Sequence, residues 1–406
     1  MKVLHVLAQL PVRTGSGVYY TNLIDGLSHD TDLIQGAIYG IQSPYQVDLN
    51  VAYENPVVFK TETLPFPIAG MSDEMPYENT VYSQMTDAMV EQWQQAFLER
   101  LNHAKEHFQP DIIIAHHLWY LTSMIVELFP NIPIVGVCHG TDIRQTLQHP
   151  ILAERYVKHL DQLALVFALS DKDKAHIHQL YQVPEEKIFV SAAGFNQQLF
   201  NTEGVLRSHD SIEVVYAGKI AHAKGVYQLA QAYPALKQRY PMLKFSIIGS
   251  IDDKNRDLLY NYAEHLDDFN IFDVKSQAHL AEYMKQADIF VLPSYYEGMG
   301  LIAIEALACQ MRVVVTEIEG LMELLGPTVN QSDVIEYVGL PRLKNQDEPY
   351  EEDIPAYVER LEAAIAKQID RTLEGIPFDD RIYQRIIRHS WGEVTKQQLQ
   401  RIKQLV

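Results

Sequence analysis

The chain is short of cysteine, of basic residues and of long apolar runs, and each shortage excludes something. Two cysteines, Cys138 and Cys309, in 406 residues allow neither a disulfide framework nor a zinc site of the usual ligand spacing. Both sit in apolar text and read as buried free thiols of a reducing compartment. No stretch approaches the ~20 consecutive apolar residues that span a bilayer. The opening "MKVLHVLAQLPVRTGSG" has an apolar run that Gln9, Pro11 and Arg13 break, which suits a strand and not the core of a signal peptide. The expectation is a cytoplasmic protein without a transmembrane segment. Lys and Arg number 33 against 53 Asp and Glu, a net charge of −20. Such a surface repels a nucleic-acid backbone, so no nucleic-acid partner is expected, and an anionic ligand needs a pocket with its own cations.

What is present is a repeated alternation. A chain of 406 residues is long enough for two domains of roughly 150–200 residues each. Short apolar runs at 2–8, 111–117, 133–139, 165–170 and 187–193 read as buried parallel strands with helical text between several of them. A polar stretch, "NTEGVLRSHDS" at 201–211, reads as a linker, and the pattern restarts at 212–218, 244–250, 270–274, 288–294 and 312–317. This predicts an α/β protein of two Rossmann-like domains in series, at about 1–200 and 205–385. The segment 59–85, rich in Pro, Met and Tyr and without a period, reads as an ordered surface loop inserted in the first domain.

One stretch raises a chemical question. "SYYEGMGLIAIEALACQ" (294–310) follows the strand text "DIFVLPS" and carries Glu297 and Glu305 eight residues apart, with Gly298 and Gly300 beside the first. The glycines let the backbone turn and leave amides uncovered at a helix start near Gly300, which suits a phosphate. Glu305 lies inside an otherwise apolar helix, where a carboxylate needs partners, and a sugar diol offers two donors. Glu297, in the loop, suits a second hydroxylated group. The plainer alternative is an amphipathic helix with one solvated glutamate.

Other stretches add cations and a histidine. "YAGKIAHAKGVYQL" (216–229) puts Lys219 and Lys224 in one strand-to-helix loop, which suits a diphosphate, although two surface lysines alone are often merely solvated. In "PVRTGSGVYYTNLIDGL" (11–27), Gly15 and Gly17 lack the third glycine of a dinucleotide fingerprint, and no acidic residue closes the next strand region at 32–40. A glycine loop pointing into an interdomain cleft is the better reading. "VCHGTDIRQ" (137–145) puts His139, Gly140 and Asp142 just past a strand end, where open α/β sheets bind ligands, although a lone histidine there is as readily a core residue. The pairs His116–His117 and His176/His178 lack a coherent set of nearby carboxylates and read as structural, so no metal site is expected.

Taken in order, these stretches resemble the retaining GT-B glycosyltransferases of the nucleotide-sugar-dependent "glycosyl transferases group 1", or family 4, type. The resemblance runs through the glycine loop at 14–17, "PDIIIAHH", "CHGTD", "VPEEKIFVSAAGFN", "GKIAHAKG", "PSYYEGMGLIAIEALAC" and "HSWGEV" (389–394). It implies a GT-B fold, with the two Rossmann-like domains facing each other across a cleft and a C-terminal helix at about 386–406 packing back on the first. It implies catalytic roles for His139, Glu297 and Lys224, with His139 near the 6-position of the transferred sugar. It implies a donor site of Gly15, Gly17, Lys219, Lys224, Gly298, Met299, Gly300, Leu301 and Glu305, in which the lysines hold the diphosphate, Glu305 the ribose and Glu297 the sugar. Lys219 stands where arginine is commoner, which costs bidentate geometry. "AAGFN" (192–196) replaces the usual Pro-Asn-Gly-Val-Asp, so that turn carries no more than a structural expectation. The implied activity is transfer of a hexosyl unit from a UDP- or GDP-sugar to a glycan, lipid-linked or small-molecule acceptor, with retention, by a bacterial enzyme without a metal or other cofactor. A nucleotide-sugar epimerase of the same fold, or a non-catalytic partner subunit, is the alternative. A glycosidase is disfavoured, since its two carboxylates act from opposite sides of one bond and Glu305 is too deep in its helix.

Overall fold

In a computed structural model describing residues 1–73, 75–191, 193–205, 207, 210–297, 299–344 and 347–406, the chain forms two compact units. The first comprises Met1–Ala193 and Trp391–Val406, the second Gly194–Ser390.

The main strands of the first unit are β1 (Lys2–Leu7), β2 (Ile34–Ile41), β3 (Ile112–His116), β4 (Ile134–Val137), β5 (Leu165–Ala168) and β6 (Ile188–Val190). They pair in the order β6-β5-β4-β3-β1-β2, all parallel, with Tyr53–Glu54 beyond β2. Helices cover both faces of such a sheet, which is why its strands read as apolar runs and not as alternation. The order reverses between β1 and β3, so the loops after these two strands diverge and leave room at their carboxyl ends.

The second unit repeats the plan with β7 (Ile212–Ala217), β8 (Leu243–Ile248), β9 (Phe269–Phe272), β10 (Ile289–Leu292), β11 (Arg312–Thr316) and β12 (Ile335–Val338). Their order is β9-β8-β7-β10-β11-β12, again all parallel, with the reversal between β7 and β10. The sequence patterns left β12 unmarked, because "IEYV" is buried only at its two ends.

Two boundaries differ from the sequence expectation. The first unit ends at Ala193, and not near 200, because Phe195 bridges to Ser390 and Phe200 is fully buried in the second unit's core. Residues 206, 208 and 209 of the expected linker, and Ala192 of the "AAGFN" turn, lie outside the described residues. Arg207 donates to the carbonyls of Ala287 and Cys309, so this part of the 201–211 stretch is anchored. The C-terminal helix joins the first unit from Trp391, and not from about 386, since Asp380–Ile386 packs in the second unit with Ile382 and Ile386 in its core. Helix Trp391–Ile402 packs on helix Gly15–Leu27: Gln398 donates to the Tyr19 hydroxyl and to Ser191 Oγ, Lys403 pairs with Asp30 at 2.6 Å, and Ile402 is buried beside Val3 and Leu27.

The 59–85 segment is not a surface loop. Phe59, Leu64, Phe66, Ile68, Ala69, Met71, Tyr77 and Tyr82 are buried in the first unit's core, and Ala69–Gly70 pairs with Thr80–Val81 as a small parallel ladder. Its backbone is held by side chains from elsewhere. Gln42 accepts from Ile68 N at 2.9 Å and donates to the Glu78 carbonyl, and Gln145 donates to the Met71 carbonyl at 3.2 Å. The aromatic and methionine content that gave the segment no period is the content that buries it. Cys138 and Cys309 are free and buried, as their apolar surroundings imply. Among the described residues no helix is long and apolar enough to cross a membrane.

Candidate functional site

The second unit assembles most of the predicted donor residues at its switch point. The loop after β7 (218–225) and the loop after β10 (293–300) lie side by side at the carboxyl ends of adjacent strands. Gly225, at φ +63°, ends the first loop, and a Cβ there would land on the Pro293 carbonyl. Only glycine permits that approach. Tyr295 N donates to the Ala223 carbonyl at 2.9 Å, and Lys224 Nζ to the Tyr296 carbonyl at 3.3 Å. Tyr357 OH and Thr316 Oγ1 fix the second loop from below, donating to the carbonyls of Pro293 and Ser294.

Lys224 and Glu297 meet directly, Nζ to Oε1 at 2.7 Å, and Ser294 Oγ donates to the same carboxylate oxygen at 3.1 Å. Both side chains keep about a quarter of their surface, 27% and 22%. Such a partly exposed pair contributes little to stability, so its interest is positional. Lys219 is exposed, and no described residue pairs with its ammonium group; its carbonyl accepts from Tyr216 OH at 2.7 Å. Burial, aided by the Glu297 charge, raises the Tyr216 phenol, which stays protonated as a donor.

Gly298 lies outside the described residues. Met299 is partly buried, and Gly300, at φ +60°, is the N-cap of helix Leu301–Ala308 with no side chain capping it. The helix starts where the sequence placed it, with first-turn amides not taken by a cap. Glu305 is in its second turn, between the buried Ile304 and Ala306. No hydrogen bond or ion pair reaches its carboxyl from the described residues, and burial pushes it up to about 7. A carboxylate so placed lacks the partners that a buried charge requires.

The first unit brings a different set to its own switch point. Thr14 caps helix Gly15–Leu27, accepting from Gly17 N at 3.0 Å. A Cβ on Gly17 would lie 2.7 Å from Val12 N and 2.8 Å from the Leu10 carbonyl, so this glycine serves local packing, whereas Gly15 is exposed with nothing within 4 Å of a Cβ. The two glycines thus form a helix's first turn and not a free loop. His139 follows β4, and its Nε2 meets His116 Nδ1, at the end of neighbouring β3, at 3.1 Å. His117 and Tyr19 flank the His139 ring at centroid distances of 4.7 and 5.2 Å. Asp142 is no base. It is fully buried and accepts from Leu118 N at 2.9 Å and from His139 N and Ile143 N at 3.2 Å, tying the two strand ends together. Sequence reasoning set His116 aside as structural and passed over Tyr19. The available signal was that β3 and β4 are parallel neighbours, whose ends, "AHH" and "CH", must lie side by side. Among the described residues no group of three or more His, Cys, Asp or Glu could hold a metal ion.

Parallel sheets with loops from both switch points define a doubly wound α/β protein, and solved structures give its fold. Sucrose-phosphate synthase from Thermosynechococcus elongatus superposes over 100% of this chain and 99% of its own with a TM-score of 0.65 at 16% identity. A trehalose-6-phosphate protein from E. coli, bound with UDP-2-fluoro glucose, does so over 100% of this chain and 99% of its own, at a TM-score of 0.60 and 14% identity. The fold is GT-B. The family "Glycosyl transferases group 1" matches residues 200–336 and "Glycosyltransferase Family 4" residues 79–198, so the chain belongs to the group 1 glycosyltransferases of GT-B fold. A D-inositol 3-phosphate glycosyltransferase of Pseudarthrobacter chlorophenolicus is 25% identical over 279 residues, 63% of this chain and 64% of that relative, which is less than two thirds of the relative's length.

Proposed function

We propose that this glycosyltransferase moves a hexosyl unit from a UDP- or GDP-sugar to its acceptor, with retention of configuration and without a metal ion. The observation that carries the reading is the second unit's switch point, where two lysines, an uncapped helix start and two carboxyl groups of different character lie on two stitched loops. Lys219, Lys224 and the Leu301 end of the helix offer positive charge to a diphosphate, and together they supply the neutralisation that a cation would otherwise give. Glu305, without a hydrogen-bond or ion-pair partner among the described residues, is suited to a ribose diol. Glu297, with Met299 and Gly300 beside it, is suited to hydroxyls of the transferred sugar.

The steps assigned to this chain are few. Lys224 turns from Glu297 to the diphosphate when the donor binds, which frees the carboxylate for the sugar. The lysines and the helix start then stabilise the charge that grows on the departing diphosphate, whose own oxygen takes the acceptor proton. His139 takes the family's role of contacting the sugar. The UDP-2-fluoro glucose bound by the E. coli relative in fold supports a nucleotide sugar as donor.

The test is to incubate the protein with UDP- and GDP-hexoses, with and without an acceptor and with and without a chelator, and to read donor and product anomers by proton NMR. Transfer with the donor's anomeric configuration, unaffected by chelation, is expected. An inverted product, a loss restored by magnesium or manganese, or a 2-epimer formed without acceptor would overturn the corresponding part.

A further inference from the structure

His139 is held from behind by a second histidine whose other nitrogen has nowhere to go. His116 is 1% exposed, its ring lies nearly parallel to that of His139 at 17° and 5.3 Å, and its Nδ1 is 3.1 Å from His139 Nε2. Tyr20 covers it at 5.0 Å between ring centroids, and its Nε2 is buried without a hydrogen-bond partner among the described residues. His139 is partly exposed, and its ring makes its one hydrogen bond to a described residue through Nε2, which leaves Nδ1 without one. The backbone beneath is rigid, since Asp142 accepts from both Leu118 N and His139 N. Burial holds His116 well below the usual range and also lowers the partly exposed His139, so both rings are neutral at pH 7 and each carries one N–H.

Two arrangements satisfy the contact. If His139 donates from Nε2, His116 must carry its own proton on Nε2, where no described residue offers an acceptor. If His116 donates from Nδ1, its Nε2 keeps only a lone pair. A buried N–H without an acceptor is the rarer and costlier defect, and His117, with neither ring nitrogen partnered, already carries one such donor. The second arrangement is therefore preferred, and it leaves the proton of His139 on the outward Nδ1.

We propose that His116 is a positioning residue that fixes His139 as the Nδ1–H tautomer, so that His139 meets its ligand as a neutral hydrogen-bond donor and not as a base. The ligand oxygen facing it must then be an acceptor, such as a sugar hydroxyl lone pair. The ligand's identity rests on the transferase reading above; the tautomer does not.

The experiment uses the full chain with ring-15N-labelled histidine, and long-range proton–nitrogen correlation at pH 7, with His139 identified by the signals lost in His139→Gln. Protonated Nδ1 and bare Nε2 are expected on both His139 and His116. His116→Phe keeps a ring in the buried space but removes the donor, so His139 should move to a mixture of tautomers. Turnover of the donor sugar should fall about tenfold, the effect of one displaced neutral hydrogen bond, with nucleotide affinity unchanged. His116→Asn, whose amide nitrogen falls near the place of Nδ1, should restore the tautomer and most of the turnover. A His139 protonated on Nε2 in the unsubstituted protein overturns the proposal, and so does a tautomer unmoved by His116→Phe. If that variant does not fold, the unsubstituted spectrum decides alone. An inactive protein with the expected tautomer refutes the transferase reading and leaves this one standing.

Discussion

Glu305→Gln is predicted to stabilise the protein, and mainly above pH 5. In the unfolded chain this carboxyl ionises near 4.5, and in the folded protein near 7. Between those pH values the folded state holds a proton that the unfolded state has lost, so stability falls as pH rises and reaches its full deficit above 7. For a side chain that solvent still partly reaches, that gap is worth on the order of 2 to 3 kcal/mol. Below pH 4.5 both states are protonated and the carboxyl costs nothing. Glutamine is neutral throughout, so the variant's advantage should grow by about 2 to 3 kcal/mol between pH 5 and pH 8. Urea unfolding of the second unit at those two pH values, for both proteins, reads it as a widening separation of midpoints. An equal advantage at both pH values, or a loss at pH 8, would show that Glu305 has partners in solution and is not held open for a ligand.

Two further outcomes follow from the packing. Gly225→Ala places a methyl on the Pro293 carbonyl at φ +63°, which should cost on the order of 3 kcal/mol and separate the two donor loops; a near-normal melting temperature with full nucleotide binding would contradict it. Deleting residues 68–80 should unfold the first unit rather than spare it, because Ile68, Ala69, Met71 and Tyr77 belong to its core; a cooperative native-like melt of the shortened chain would restore the surface-loop reading.

Most of the strands were legible because they are buried on both faces, which writes a continuous apolar run into "DIIIAHH" or "DIFVLPS". The helix start at Gly300 was legible from its glycine, and the interest of Glu305 from its apolar neighbours. Three things were not. β12 escaped because "IEYV" lies at a sheet edge and is only half apolar. The role of 59–85 escaped because a core built from aromatic and methionine side chains on irregular backbone has no period to detect. The contacts Lys224–Glu297 and His116–His139 join residues 73 and 23 positions apart, and only the sheet order makes them neighbours.

The central claim is that the second unit's switch point divides a nucleotide sugar between Glu305 and Glu297, and isothermal titration with UDP and GDP tests it most directly. At least one of the two should bind the unsubstituted protein. Glu305→Gln should weaken that binding about ten- to hundredfold, the equivalent of a lost charged hydrogen bond of roughly 1.5–3 kcal/mol. Glu297→Gln should leave it within about threefold or strengthen it, since the bare nucleotide lacks the transferred hexose that Glu297 would touch and the substitution releases Lys224. Equal losses in both variants, or no binding of either nucleotide, would contradict the account.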